Sequence, residues 1–244
     1  MKKILVIGES CLDVFHYGVC DRLTPEAPVP VFNSTSHNSS GGMSMNVYNN
    51  LKVFTKGVDI CTNNNWQQIR KTRFVEEKSN HMFIRLDEND DQYGRADLKG
   101  VDFSQYRAIV VSDYNKGFLS DEDLAQISRS HEKTFLDTKR TLGEWSKSFT
   151  FVKVNGPEYE KTKHLLTKEM RQNLIVTQGS KGCFHMSKVY EVPMVEVKDV
   201  SGAGDTFLSG FSYKFIETGN FDLSIHFANE CATKVVQKRG VSTT

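Results

Sequence analysis

The stretch Asp199-Val-Ser-Gly-Ala-Gly-Asp205-Thr206-Phe207 decides the fold of this 244-residue chain. From Gly204 onward, Phe207, Leu208, Phe211, Phe215 and Ile216 recur at helical spacing, so a helix is predicted to start beside Asp205. A helix start leaves backbone N–H groups without partners inside the helix. Those of Gly202, Ala203 and Gly204 form a small, positively polarised hollow, and the two glycines let a phosphate approach with no Cβ in the way. A carboxylate beside such a hollow can take a proton from a substrate hydroxyl while the amides stabilise charge on a moving phosphoryl group. Asp205 stands there. Read alone, the turn serves as well as a strand-to-helix connection carrying a favourable first-turn acid; its context must decide.

Working outward, the chain repeats one unit: an apolar strand, a polar terminus, a helix. Ile4–Ile7 is an apolar run closed by Gly8, suited to a buried parallel strand, with Asp13 beyond its carboxyl end. Ala108–Val111 ends in Ser112-Asp113-Tyr114, and Thr134–Leu136 in Asp137-Thr-Lys139. Phe149–Val154 ends in Asn155-Gly-Pro-Glu158, and Leu174–Thr177 in Gln178-Gly179-Ser-Lys-Gly182. The pattern predicts one α/β domain over residues 1–244, a doubly wound and mainly parallel sheet flanked by helices with its chemistry along one edge. Two further segments predict a small β lid, within residues 12–33 and 69–87. Val14–Gly18 and Val29–Phe32 surround a loop holding Pro25, Pro28 and Pro30, while Ile69–Glu76 and Met82–Leu86 pair around Glu77–Asn80.

Several polar residues of these segments carry two readings each. Asp13 either grips substrate hydroxyls or caps a turn. Gly41-Gly42 with Asn46 either admits a sugar to close approach or forms a plain turn. Lys71, Arg73 and Arg85 either line solvated strand faces or make a basic lid for a phosphorylated substrate.

Composition narrows the classes. Lysine and arginine number 31 against 30 acids, which points away from nucleic acid or an anionic membrane as partner, so any bound anion must be met by local charge. Five scattered cysteines with no Cys-x-x-Cys fit reduced thiols in a cytosol, and no apolar run approaches membrane-spanning length; the expectation is a soluble cytoplasmic protein. A Walker-type phosphate loop and the protein-kinase signatures are absent, and the glycine turn lies too near the C-terminus for a dinucleotide fingerprint. No histidine pair has metal-ligand spacing, whereas Mg2+ carried by a nucleotide needs few protein ligands.

The signature Asp199-x-x-Gly202-x-Gly204-Asp205 resembles that of the ribokinase or PfkB-type carbohydrate kinases. Gly41-Gly42 with Asn46, Asn155 with Glu158, and Thr177 with Gly179 and Gly182 match further positions of that family in order. Within it, Thr24-Pro-Glu-Ala-Pro-Val-Pro30, Lys71-Thr-Arg73, Ile84-Arg-Leu-Asp87 and Ser112-Asp-Tyr-Asn-Lys-Gly117 resemble local signatures of the D-glycero-β-D-manno-heptose 7-phosphate kinase domain of bifunctional heptose enzymes. Ser201 replaces the usual threonine and keeps its hydroxyl, while the stretches after Gly57 and between Glu158 and Leu174 look shortened.

The resemblance implies an ATP-dependent sugar kinase acting on C1 of the heptose phosphate, with Asp205 as base and Gly202, Ala203 and Gly204 as anion hole. It implies Asn155 and Glu158 for Mg2+ and phosphates, Lys139 near the nucleotide phosphates, and Thr177, Gly179, Gly182 and Asn229 around the nucleotide. Asp13, Gly41, Gly42, Asn46 and Asp113 would hold the sugar, and Arg22, Lys71, Arg73 and Arg85 are candidates for its phosphate. A monovalent cation and a homodimer paired through the lid strands belong to the same implication. Two other readings stay open: a kinase of another sugar, sugar phosphate or nucleoside, and a catalytically idle, sugar-binding regulatory subunit.

Overall fold

Strand β1 (Ile4–Ile7) sits inside an eight-stranded sheet and is buried along its whole length in the computed structural model, which describes residues 2–244. Strand alternation sends Ile4 and Val6 to one face and Leu5 and Ile7 to the other, and both faces are covered, which is why the run is apolar throughout. Its neighbours are β4 (Val58–Cys61) on one side and β7 (Ala108–Asp113) on the other, both parallel. The sheet continues through β8 (Thr134–Thr138), β9 (Phe151–Asn155) and β10 (Leu174–Thr177), all parallel. It ends in an antiparallel pair, β11 (Cys183–His185) and β12 (Lys188–Tyr190). That hairpin is too short to leave an alternation in the sequence.

On one face lie α1 (Ser44–Phe54), α5 (Ala203–Thr218) and α6 (Phe221–Val235), whose Val47, Leu51, Phe207, Phe211 and Ala228 join Ile4, Val6 and Phe135 in a single core. The other face is covered by α2 (Asp121–Ser130) and by the short α3 (Gly156–Thr162) and α4 (Lys168–Gln172). Helix α2 begins at the expected serine: Ser120 and Asp123 form a reciprocal capping box. Parallel strands put all their carboxyl ends on one rim, so Asp113, Asp137, Asn155 and Thr177 come together there.

A second sheet of four strands, ordered β3-β2-β5-β6, forms the lid. It comprises β2 (Ser10–Val19), β3 (Asn33–Met43), β5 (Arg70–Glu76) and β6 (Met82–Glu88). The partner of β2 differs from the expected Val29–Phe32. Pro28 and Pro30 keep that segment out of the ladder apart from one bridge between Leu23 and Pro30, and the pairing strand is the polar run starting at Asn33, past the 12–33 window. Seven of its first residues, Asn33 to Ser39, are exposed, so burial imposes no apolar alternation that the sequence could display. Strand β3 turns directly into α1 at Met43, which holds φ 60° and ψ −128°, a conformation sparsely populated by non-glycine residues.

Among the described residues, no helix is long and apolar enough to cross a membrane.

Candidate active site

Helix α5 starts where Gly202 takes the left-handed conformation, φ 78°, leaving Ala203 as its first residue. A side chain at Gly202 would be strained by that φ, and its Cβ would lie 2.6 Å from Asn46 Nδ2. The first turn carries Asp205, 4% exposed, directly at the helix N-terminus. Its Oδ2 accepts a hydrogen bond from Asn46 Nδ2 at 2.9 Å, and its Oδ1 accepts one from the Tyr114 hydroxyl at 3.0 Å. Asn50 in turn donates to Asn46 Oδ1 at 3.1 Å and fixes the amide's orientation.

Asp205 titrates upward, to about 6. Burial raises it, the hydrogen bond from Asn46 opposes, the negative charge of Asp137 raises it further, and Lys153 and Tyr114 pull it down. A carboxylate with this value is ionised at neutral pH yet more basic than an ordinary aspartate, which suits a general base. Activity that depends on its ionised form is therefore expected to fall about tenfold per pH unit below pH 6. A kcat/KM profile with no acid limb between pH 5 and 7 would contradict that assignment.

Two ion pairs flank the hollow. Lys153, from the interior of β9, pairs with Asp137 at 2.7 Å, and both side chains are 5% exposed. Its Nζ lies 2.8 Å from where a Cβ on Gly204 would stand, so the ammonium shares the space of the first α5 amides. Asp137 Oδ1 is buried with no hydrogen-bond partner. Lys139 pairs with Glu158 at 2.7 Å; although burial opposes its charge, Asp137 and Glu158 together raise its pKa. Sequence reading placed Lys139 here but passed over Lys153 and Tyr114. The available signal for Lys153 was a lone charge inside an apolar strand, two residues from Asn155 and therefore on the same side.

Thr177, Gly179, Gly182, Ala203, Gly204 and Asn229 line one cavity of about 260 Å³. Most of its other lining is apolar, including Val192, Val197 and Val200, and the first residues of α5 border it. Apolar walls with a few polar groups and a helix N-terminus fit an aromatic base joined to phosphates. Asn155 and Glu158 form the capping box of α3, with Asn155 N and Nδ2 donating to the two Glu158 oxygens at 2.7 and 2.8 Å. No group of three or more metal-ligating side chains occurs among the described residues, so an ion here would draw mainly on nucleotide phosphates and water.

The sugar-side residues are placed less uniformly. Gly41 and Gly42 lie opposite Leu12 and Cys11 in the lid ladder, and Gly42 packs against the Asp13 carboxylate. Asp13 itself accepts from Arg73 Nη1 at 2.6 Å. Asn46 is spent on Asp205. Asp113 is fully buried and accepts from Thr138 Oγ1 at 2.6 Å and Arg140 Nε at 2.9 Å, which leaves it bracing the rim. Arg85 forms a two-pronged pair with Asp87, Lys71 pairs with Asp90 and Asp87, and Arg22 is exposed on the proline loop.

Residues 142–244 match the family described as pfkB family carbohydrate kinase. The chain is similar to the bifunctional protein HldE of Nitratiruptor sp., 29% identical over 289 positions, covering 99% of this chain and 63% of that protein. It is also similar to the bifunctional protein HldE of Helicobacter pylori strain P12, 30% identical, covering 98% of this chain and 64% of that protein. The chain thus spans under two thirds of these relatives' length. Because 289 aligned positions are matched by only 244 residues, it is also internally shorter than the first relative. Among solved structures, the ribokinase of Thermotoga maritima superposes with a TM-score of 0.72 at 16% identity, covering 99% of this chain and 95% of that one. The Methanocaldococcus jannaschii nucleoside kinase gives 0.70 at 18%, covering 99% and 93%. The fold is ribokinase-like.

Proposed function

We propose that this chain is an ATP-dependent sugar kinase that transfers the γ-phosphoryl group to a sugar hydroxyl, C1 of D-glycero-D-manno-heptose 7-phosphate being the acceptor that fits best. The observation that carries the reading is the meeting of a buried carboxylate titrating near 6 with the N-terminal amides of α5, whose first residues border the cavity lined by Thr177, Gly179 and Asn229. The similarity to HldE proteins over nearly the whole chain and the lid signatures favour the heptose acceptor.

In this reading ATP supplies the phosphoryl group, and Mg2+ held beside Asn155 and Glu158 offsets its charge. The chain's own residues do the rest. Asp205 takes the proton from the attacking hydroxyl at whichever oxygen Tyr114 releases, while Asn46 keeps the other oxygen aimed. The amides of Ala203 and Gly204 and the Lys153 ammonium offset charge on the group in transit. Asp13, held by Arg73 beside Gly42, faces the acceptor from the lid.

Purified protein given Mg-ATP and heptose 7-phosphate is expected to release ADP in step with sugar consumption. ADP release that ignores the sugar would sink the reading. Running the assay in potassium and in sodium salts tests the monovalent-cation expectation. A panel of unphosphorylated heptose, hexoses, pentoses and nucleosides tests the acceptor: equal turnover of heptose and its phosphate would remove the phosphate preference.

The lid also supports a homodimer. Strand β6 exposes Met82, Phe83, Ile84 and Leu86, between 41% and 58% each, along an edge of the four-stranded sheet. Sedimentation is expected to give a dimer for the parent chain and a monomer for Ile84→Glu/Leu86→Lys; a parent chain that stays monomeric at micromolar concentration ends this proposal.

A further inference from the structure

Three donors from three separate segments converge on one carboxylate outside the phosphoryl-transfer centre. Asp90, in the turn after β6, accepts from Lys71 Nζ of β5, from Lys116 Nζ of the loop after β7 at 2.5 Å, and from the Tyr93 hydroxyl at 2.7 Å. Lys71 and Tyr93 are buried, 6% and 2% exposed, whereas the Asp90 side chain is 24% exposed. A ligand arriving from solvent therefore meets Asp90 and the more exposed Lys116 before it meets Lys71 and Tyr93. Burial works against the Asp90 charge, yet the hydrogen bonds from Lys116, Lys71 and Tyr93 hold its pKa down to about 2, so the cradle is strongly anion-selecting.

The cradle adjoins the acceptor side of the lid. Lys71 lies opposite Asp13 in the β2–β5 ladder, and the Tyr93 hydroxyl also reaches Met43 Sδ at 3.5 Å, next in the chain after Gly42. The cations on the acceptor side have internal counter-charges: Arg73 has Asp13, Arg85 has Asp87, and Lys71 shares Asp90 with Lys116 of the loop after β7. A phosphate that engages these paired cations must displace one of the carboxylates. Asp90 is the one on a turn bounded by left-handed residues, Asn89 at φ 57° and Gly94 at φ 69°, where backbone can rearrange without disturbing a strand.

We propose that Asp90 is a resident anion occupying the subsite for the acceptor's phosphate, and that a phosphorylated sugar displaces it to engage Lys71, Lys116 and Tyr93. The inference rests on the kinase reading for the identity of the ligand, but the cradle itself is testable without turnover. Three donors match the three terminal oxygens of a phosphomonoester, and a carboxylate fills the place only partly. Unphosphorylated sugars leave Asp90 seated and gain nothing from the cradle.

The test uses the full chain and the isosteric variant Asp90→Asn, with inorganic phosphate as probe in calorimetry and heptose 7-phosphate as acceptor in the assay. If the carboxylate is seated about nine-tenths of the time, its removal tightens phosphate binding about tenfold, because apparent affinity scales with the fraction of open cradle. The KM for heptose 7-phosphate is expected to fall by a like factor while the KM for ATP stays put, and adding Lys71→Met is expected to abolish the gain. Should Asp90→Asn fold poorly, hydrogen exchange on the parent chain decides instead: heptose 7-phosphate should speed exchange across residues 89–94, and unphosphorylated heptose should not. Phosphate binding unchanged or weakened in a folded Asp90→Asn chain, or exchange in 89–94 unchanged or slowed by the sugar phosphate, overturns the proposal. A chain that turns over no sugar yet gains phosphate affinity on Asp90→Asn would retain the cradle and discard the kinase reading. Turnover without any such gain would do the reverse.

Discussion

Asp205→Asn is expected to lower kcat by about 10² to 10⁴, the range that general-base catalysis supplies, with little change in the KM for ATP. The substitution keeps shape and removes the base. An asparagine can turn its oxygen toward Asn46 Nδ2 and its amide toward Tyr114, whose hydroxyl accepts as readily as it donates, so both contacts of the parent side chain survive. Stability should move the other way from activity. The folded-state pKa of Asp205 lies above its ordinary value, so folding favours the neutral form; the resulting cost is absent below about pH 4 and complete above about pH 6. A neutral asparagine avoids it, and the variant is expected to melt no lower than the parent chain at pH 7. Full activity in a folded Asp205→Asn protein would remove the base from the mechanism, and with it the reason to read the α5 turn as catalytic.

Lys153→Met is expected to cost about 3–5 kcal/mol of stability, because it strands the Asp137 carboxylate in the interior. Both partners of the pair are 5% exposed, and Asp137 already has one oxygen without a hydrogen bond. The double variant Lys153→Met/Asp137→Leu replaces the ion pair by apolar groups of similar size and should recover most of that loss. Activity should not return with it. The ammonium lies beside Gly204 at the start of α5, so its removal withdraws positive charge from the place where a phosphoryl group would carry its negative charge. Chemical denaturation and ADP release measured on both variants separate the two roles. If the double variant is both stable and active, Lys153 is a packing residue and the amides suffice.

Much of the scaffold could be read from local patterns. The apolar runs at Ile4, Ala108, Thr134 and Leu174 each became a parallel strand whose terminus bears the polar residues that follow it. Ser120 capped α2, and the αL glycine before Ala203 opened α5. These succeed because cap chemistry, side-chain period and burial on both sheet faces all act within a few residues. The lid's polar strand β3 escaped notice for the complementary reason: an exposed strand is under no pressure to alternate.

What the sequence by itself determined was the buried parallel strands with their polar ends, the glycine turn and the acid that follows it, since each is specified by neighbours in the chain. Only the tertiary structure decided how the charges are spent. Asp113 went to Arg140, Asn46 to Asp205, Lys153 to Asp137 and Lys71 to Asp90, pairings that join residues between 16 and 159 positions apart. Coulombic and hydrogen-bond energies depend on distance and burial, and neither is written in a linear spacing.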